Sequence, residues 1–439
     1  MLEPIAVAER GGGWAASGLP RASGVSFHSA RVRPGDAFFA LPGAAQHGLE
    51  FADAALAAGA AYIVSDRPHP QGVTVPDPAG LLSALGGDAR RRFHGVVIGV
   101  TGSAGKTSCK ALLGAALGAE TTPGNRNTPL ALAEVLIETA LAGRTDTHAR
   151  LILELGVDHP GEMDTLLALA QPTHAVVTLV SPSHLAGLGT VVGVAREKLK
   201  LVDAAEHAFV SVQAAGFLNA AQRRKTVTYG LTGADVTGTL SEVTAAGQTL
   251  SALGTRVRLP FVGAALAENA LAALAVAAHL GDDLGVAGAR LAGARLEPGR
   301  LHVRQLGTLT LIDDSYNSNP ASAAAALETL THFPRPHSVV LGDMLELGPE
   351  AARYHEELGG RTLQLDRVIV IGREMRALKR ANPNAHHFEA FDFDALEPLL
   401  PGRGTLLIKG SRGGRLERLV ERLLDAAQFQ VRSQVQVRA

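Results

Sequence analysis

The sequence predicts an α/β protein of three domains: a small N-terminal α/β domain, a central domain on a mostly parallel sheet with added β-hairpins, and a C-terminal doubly wound domain. Three observations predict it. The apolar run Gly95-Val96-Val97-Ile98 leads into the glycine-rich stretch GVTGSAGKTS (Gly99 to Ser108), and a helical run follows with Leu112, Leu113, Ala116 and Leu117 on one face. Short apolar strands then alternate with helical pattern in two separate stretches, which implies parallel sheets covered on both faces. At 439 residues the chain also exceeds what one hydrophobic core accommodates.

The first block, residues 1–93, holds a turn at Pro34-Gly35, a strand at Ala37 to Leu41, an alanine-rich helix from about Phe51 to Ala58, and a strand at Ala61 to Val64. The second, residues 94–298, opens with the strand before the glycine-rich turn and the helix Lys110 to Leu117. Strands at Leu151 to Leu155 and Ala175 to Val180 follow, then a helix over Val191 to Leu201. From Val227 to Val262, short alternating runs punctuated by glycines read as antiparallel hairpins. An alanine-rich helix, Gly263 to Leu280, comes next. The third block, residues 299–439, carries strands at Leu309 to Ile312, Val339 to Leu341, Val368 to Ile371 and Leu406 to Ile408, a Rossmann-like pattern with a crevice above its strand ends. The tail after about Ala427 is polar, rich in glutamine and expected to fray.

Composition narrows the class. Hydrophobic content of 46% with 19% charged residues is that of a globular protein, and a net charge of −1 supplies no general attraction for nucleic acid or anionic lipid. The single cysteine, Cys109, excludes an internal disulfide and fits a reducing compartment. Glu3 and Glu9 stand where a secretory leader needs a basic end and an apolar run. The most lipid-like stretch, the alanine-rich helix, contains Glu268, Asn269 and His279 and reads as a packed helix. A cytoplasmic monomer is the expectation.

Strand, glycine-rich turn and helix together make a phosphate-binding loop. Backbone N–H groups of Gly102, Ser103, Ala104, Gly105 and Ser108 converge with the positive helix end, and Lys106 adds a full charge. Thr107 would offer its hydroxyl to a Mg²⁺ bridging two phosphates. The spacing departs from the strict pattern, whose first glycine falls on Val100. Three further positions stand out. Glu154 ends an otherwise apolar strand, where a carboxylate is costly without a cation or donor. His184 follows the next strand in Ser181-Pro182-Ser183-His184, and Lys198 lies on the following helix. Taken singly, each is an ordinary ion-pair, loop or surface residue. Their succession along one strand edge points to a site.

The series GVTGSAGKTS, LELGVDHPGE (Leu153 to Glu162), SHLAGLGT (Ser183 to Thr190) and VAREK (Val194 to Lys198) resembles the Mur ligase superfamily of ATP-dependent amide ligases. In the third block DDSYNSNP (Asp313 to Pro320), VVLGDMLELG (Val339 to Gly348) and KGSRG (Lys409 to Gly413) resemble the MurF type. VRPGDAFFALPG (Val32 to Gly43) extends the likeness to the first block, so it covers nearly the whole chain. The resemblance implies that the first block binds a UDP-sugar and the second ATP. The enzyme would join D-alanyl-D-alanine to a UDP-N-acetylmuramoyl-tripeptide through an acyl phosphate, with ATP and Mg²⁺.

It also implies roles. Lys106 would hold the β- and γ-phosphates, Thr107 and Glu154 one Mg²⁺, and His184 a second metal site. Lys198 matches a lysine that is carbamylated in many members, which would make it an anionic oxygen ligand. Asn269 matches an asparagine near the nucleotide base; Arg300 and Asp314 match residues that reach the phosphate and ribose. Ser29 and Arg31 would serve the UDP end of the substrate. Tyr316, Asn317, Lys409, Ser411 and Arg412 would handle the dipeptide and the acyl intermediate.

Departures from the family pattern are local. His28-Ser29-Ala30 with Arg31 replaces an Asp-Ser-Arg or Asp-Thr-Arg run, and Val157-Asp158-His159 replaces Ala-Asn-His. Ala265-Leu266 replaces His-Asn, and GNRNTP (Gly124 to Pro129) is a shortened substrate loop. Two other readings share these motifs: a ligase adding a single amino acid, as tripeptide-forming or folate-polyglutamate enzymes do, and a nucleotide-binding protein without ligase activity. DDSYNSNP and LGDMLELG argue against the first; the changes at Ala30 and Ala265-Leu266 keep the second as a minor alternative to the ligase.

Overall fold

The structure is a computed structural model that describes residues 2–43 and 46–426. The glutamine-rich tail expected to fray lies outside the described residues. The chain forms two compact units, residues 1–99 with 125–156 and 163–173, and residues 100–124 with 157–162 and 174–439.

The first unit is built on a five-stranded sheet in the order Trp14–Ala15, Gly72–Thr74, Tyr62–Ser65, Asp36–Phe39, Gly24–Ser26. All neighbours are parallel except the first pair. The strands expected at 37–41 and 61–64 are the central ones and fully buried, as continuous apolar runs require. The expected alanine-rich helix is Ala52–Ala57. A longer helix, Pro78–Arg91, escaped the sequence reading. Asp77 caps it, Pro78 starts it, and it packs on Pro129–Leu141. There a Cβ on Gly86 would stand 2.6 Å from that of Ala133, so two backbones meet closely. The strand Arg150–Glu154 neighbours the strand Val96–Thr101, whose first four residues belong to this unit.

In the second unit the strands His174–Val177, His207–Ser211, Thr226–Gly230 and Val236–Thr237 run parallel in that order. This corrects the hairpin reading of 227–262 in its first part. Residues 226–237 extend the parallel sheet, and only Thr239–Thr244, Gly247–Ala252 and Thr255–Leu259 form an antiparallel sheet. The glycines mark turns in both, so they could not tell the two apart. The alanine-rich helix is Ala264–His279, buried along most of its length against the helix Lys106–Leu117. No helix among the described residues is long and apolar enough to cross a membrane.

The remaining sheet has six strands in the order His302–Leu306, Leu309–Asp314, Gly404–Lys409, His337–Gly342, Arg367–Ile371, His386–Phe388. Only the first pair is antiparallel. Leu311, Val340, Ile369, Leu406 and Ile408 form its buried core. The four strands expected from sequence are its centre; the two edge strands are more polar and carried no apolar run.

Candidate active site

The helix after the glycine-rich turn begins at Lys106, four residues earlier than its apolar face indicates. Gly105 precedes it with φ +81°, and Gly102 has φ +151°, conformations that a side chain resists. Space is also short, because a Cβ on Gly102 would lie 2.0 Å from the Thr178 hydroxyl. The loop is braced from the neighbouring strand. Thr178 Oγ1 donates to the Ala104 carbonyl at 2.6 Å, the Ser103 amide donates to Leu179 O at 2.6 Å, and Ser103 Oγ donates to Ser181 O at 2.8 Å. Ser183 Oγ lies 2.8 Å from Ser103 Oγ. These contacts are why the strand expected to run to Val180 leaves its ladder after Val177. Lys106 Nζ donates to Gly102 O at 2.7 Å, with Thr107 and Ser108 buried on the first turn behind it. Asn269, buried on the alanine-rich helix, reaches the Gly105 carbonyl from 3.5 Å.

Lys198 is fully buried on the helix Val191–Ala204, and its Nζ has no hydrogen-bond partner among the described residues. Burial, aided by the charge of Lys106, drives its pKa well below that of an ordinary lysine. The amine is therefore held toward its neutral form. His184 sits at φ +51° ahead of the short helix Leu185–Leu188. Its Nδ1 lies 3.0 Å from Asp158 and 2.5 Å from Glu346, which itself has φ +65°. The pairing with His184, and behind it the charge of Lys106, hold the Asp158 carboxyl below the usual range against its partial burial. Glu154 ends its strand, buried, and accepts from Asn127 Nδ2 at 3.1 Å.

Residues of the third block meet the loop. Arg300 Nη2 donates to Thr107 Oγ1 at 2.8 Å, and Asn319 Nδ2 donates to Ser103 O at 3.0 Å. Arg300 also stacks on the Tyr316 ring at 4.1 Å, while Arg412 donates to the Tyr316 hydroxyl at 3.0 Å. Asp314 and Lys409 pair in register at adjacent strand ends, with Lys409 Nζ 2.6 Å from Asp314 and 2.9 Å from Asn317 O. Burial raises the Asp314 pKa, and Lys409 opposes that shift. Ser411 accepts from the Leu345 amide at 3.0 Å and donates to Ser318 O at 3.2 Å.

Ser29 and Arg31 form a short turn, Ser29–Arg31, in the first unit, with Arg31 exposed. Near them the same unit carries a buried glutamate, Glu134, paired with Arg126 at 3.3 Å. The sequence reading missed Thr178, Ser181, Asn319 and Glu346 as site residues. Asn319 had a signal, since an asparagine before Pro320 is a helix cap, but a cap does not disclose which carbonyl its amide will meet.

Comparison with known proteins follows the same outline. Sequence patterns of the Mur ligase family, catalytic domain, match residues 21–80; those of the Mur ligase middle domain match 100–277; and those of the Mur ligase, glutamate ligase domain, match 299–412. The UDP-N-acetylmuramoyl-tripeptide–D-alanyl-D-alanine ligase of Escherichia coli K12 is 30% identical over 91% of this chain and 93% of its own. That of Treponema pallidum is 33% identical over 90% and 92%. Among solved structures, MurF from Acinetobacter baumannii superposes with a TM-score of 0.82 at 28% identity, covering 95% of this chain and 98% of that one. MurF ligase from Thermotoga maritima in complex with ADP gives 0.78 at 28% identity, over 93% and 98%.

Proposed function

Since the chain belongs to the Mur ligase family, and within it to the MurF type, we propose that it joins D-alanyl-D-alanine to a UDP-N-acetylmuramoyl-tripeptide at the expense of ATP. The observation that carries this reading is the braced phosphate loop with Lys106 at its mouth and Arg300 on Thr107.

The terminal carboxylate of the tripeptide attacks the γ-phosphorus of ATP; the bond to the β–γ bridging oxygen breaks and ADP leaves. Two anions must approach, so Lys106 and Arg300 supply the positive charge that makes the encounter tolerable. The neutral amine of D-alanyl-D-alanine then adds to the acyl carbon, and the tetrahedral adduct sheds the extra proton on nitrogen as it expels inorganic phosphate. Water would destroy the acyl phosphate, which requires a closed site at that stage. Lys409, Ser411, Arg412, Tyr316 and Asn317 are assigned to the dipeptide and acyl group; Ser29 and Arg31 are assigned to the UDP end. Asn269 and Asp314 are assigned to the nucleotide's base and ribose.

The donors suit Mg²⁺. Thr107 offers a hydroxyl oxygen, the family resemblance assigns the Glu154 carboxylate, and the carboxylates beside His184 Nδ1 leave Nε2 as that ring's acceptor nitrogen. A buried amine without a partner fits poorly as it stands. As a carbamate, formed when neutral Nζ adds to CO₂ and loses a proton, Lys198 would supply two oxygens sharing one negative charge instead. When bound, Mg²⁺ would offset phosphate charge; Thr107, His184 and carbamylated Lys198 would hold it, and Glu154 is assigned to it on the family resemblance alone. A cytoplasmic monomer using soluble nucleotides completes the reading, with residues 1–93, 94–298 and 299–439 as its three domains.

A coupled ADP-release assay tests it. UDP-N-acetylmuramoyl-tripeptide with ATP should give sustained ADP formation only when D-alanyl-D-alanine is added, and single amino acids should not replace it. Nucleotide binding without substrate-dependent ADP formation would overturn the reading.

A further inference from the structure

At the opposite end of the strand that leads into the Thr178 brace, three imidazoles converge. His174 opens the strand His174–Val177, His207 opens His207–Ser211, and the two stand in register on neighbouring parallel strands. His279 ends the helix Ala264–His279, which packs on the second of these strands. One ring nitrogen from each lies within 4.8 Å of the other two. Ring centroids are 5.1, 5.4 and 4.4 Å apart, and Phe209, two residues along from His207, meets His279 edge-on at 5.5 Å. His174 is buried; His207 and His279 are exposed.

We propose that His174, His207 and His279 form a binding site for a divalent transition cation, Zn²⁺ foremost, separate from the phosphate-loop site.

The donor set selects the ion class. Three imidazoles and no carboxylate suit Zn²⁺, Co²⁺ or Ni²⁺, whereas Mg²⁺ demands oxygen. Zinc–nitrogen bonds of about 2.0–2.1 Å in a tetrahedron place ligand nitrogens roughly 3.3 Å apart. The two exposed rings can close the remaining distance by rotating about their side-chain bonds, with the backbone untouched. Their exposure leaves the fourth position open to water. Without an ion, three imidazoles held this close repel one another whenever protonated.

The scaffold gives the site a consequence. The strand that starts at His174 runs directly into Thr178, which holds Ala104 of the phosphate loop, and the helix that ends at His279 carries Asn269 beside Gly105. A cation on the triad would tie together the far ends of both supports. Its role is to stiffen the frame behind the loop, with no part in bond making.

The test uses the untagged full-length chain, stripped with chelator and dialysed. Co²⁺ should bind at one equivalent with the visible absorption of a low-coordinate nitrogen site. Zn²⁺ should displace it and raise the thermal midpoint. His207→Gln and His279→Gln alter exposed side chains, so the fold should hold. Each should weaken Zn²⁺ by more than the roughly 10–100-fold that loss of an outer-shell partner costs. Mg²⁺-supported ligase turnover should stay at the parent level in both. Undiminished Co²⁺ absorption in either variant, or a parent chain that takes up no Zn²⁺ in stoichiometric excess, would overturn the site and leave a bare imidazole stack.

Discussion

The Arg300 guanidinium donates to the Thr107 hydroxyl over 2.8 Å while its face rests on the Tyr316 ring. The arginine is thus held at the first turn of the phosphate-loop helix by two different interactions. Lysine can reproduce neither the planar stack nor the fixed fork of donors. Arg300→Lys should therefore behave almost as Arg300→Ala, each lowering kcat/KM on the order of 10²-fold. Lys106→Ala should cost more, roughly 10³-fold or about 4 kcal/mol, since a full charge at the transferring phosphate is removed. Initial rates of ADP release measure all three; near-normal turnover of Lys106→Ala would refute the nucleotide assignment.

Gly102 and Gly105 both have positive φ, but their surroundings differ. A Cβ on Gly102 would strike the Thr178 hydroxyl at 2.0 Å and approach the backbone of Leu179 at 3.1 Å. On Gly105 the nearest atom is the Asn269 side-chain amide at 3.1 Å, which can give way. Gly102→Ala should abolish ADP binding measured by calorimetry. Gly105→Ala should weaken it yet leave it measurable, at a strain of about 1–3 kcal/mol. Equal losses in the two variants would mean that backbone strain alone, and not the Thr178 brace, decides.

His184 Nδ1 faces two carboxylates, Asp158 and Glu346, at one nitrogen. Either can keep the ring oriented when the other is removed. Asp158→Asn and Glu346→Gln should each raise the Mg²⁺ concentration for half-maximal rate by a few-fold. The double variant should exceed the product of the singles, because both act on the same proton. Multiplying effects would show that the two acids work independently.

How far these contacts were legible in the sequence depended on whether the signal was local. The phosphate loop, Glu154, His184 and Lys198 stand at ends of apolar runs or on a periodic helix, and local pattern places such residues. Lys198 could be located but its burial could not, since most lysines at that helical spacing are solvated. Thr178 and Asn319 act by reaching carbonyls 74 and 216 residues away in the chain, a relation that no local pattern encodes. The strand at Thr226–Gly230 was misassigned for a similar reason: a glycine-rich turn looks the same whether the next strand returns beside it or joins a different sheet.

Lys198 makes stability depend on pH. Its amine is held neutral in the fold but has an ordinary value of 10.5 in the unfolded chain. Between the lowered folded value and 10.5, the unfolded chain carries a proton that the folded chain lacks, so stability rises with pH across that window. Below the folded value the cost is present in full. Lys198→Met should flatten this rise and stabilise the protein on its acid side, read as urea midpoints in CO₂-free buffer. It should also remove activity, which separates the two roles. A parent protein whose midpoint is level up to pH 10.5 would contradict the buried neutral amine.

Cys109 offers a native probe of the same helix. It lies one turn beyond the phosphate loop, fully buried, with its amide on the Gly105 carbonyl at 2.8 Å. Burial pushes the thiol's pKa up, so at neutral pH neither access nor thiolate is available to a thiol reagent. Labelling should therefore require opening of the helix Lys106–Leu117, and its rate should follow the population of that open state. ATP or ADP with Mg²⁺ binds only the closed loop and should slow labelling by the factor 1 + [L]/Kd. In the Gly102→Ala variant the protection should disappear, because the loop no longer grips phosphate. Rapid labelling of the parent protein, indifferent to nucleotide, would show that the helix behind the loop opens without disturbing the site.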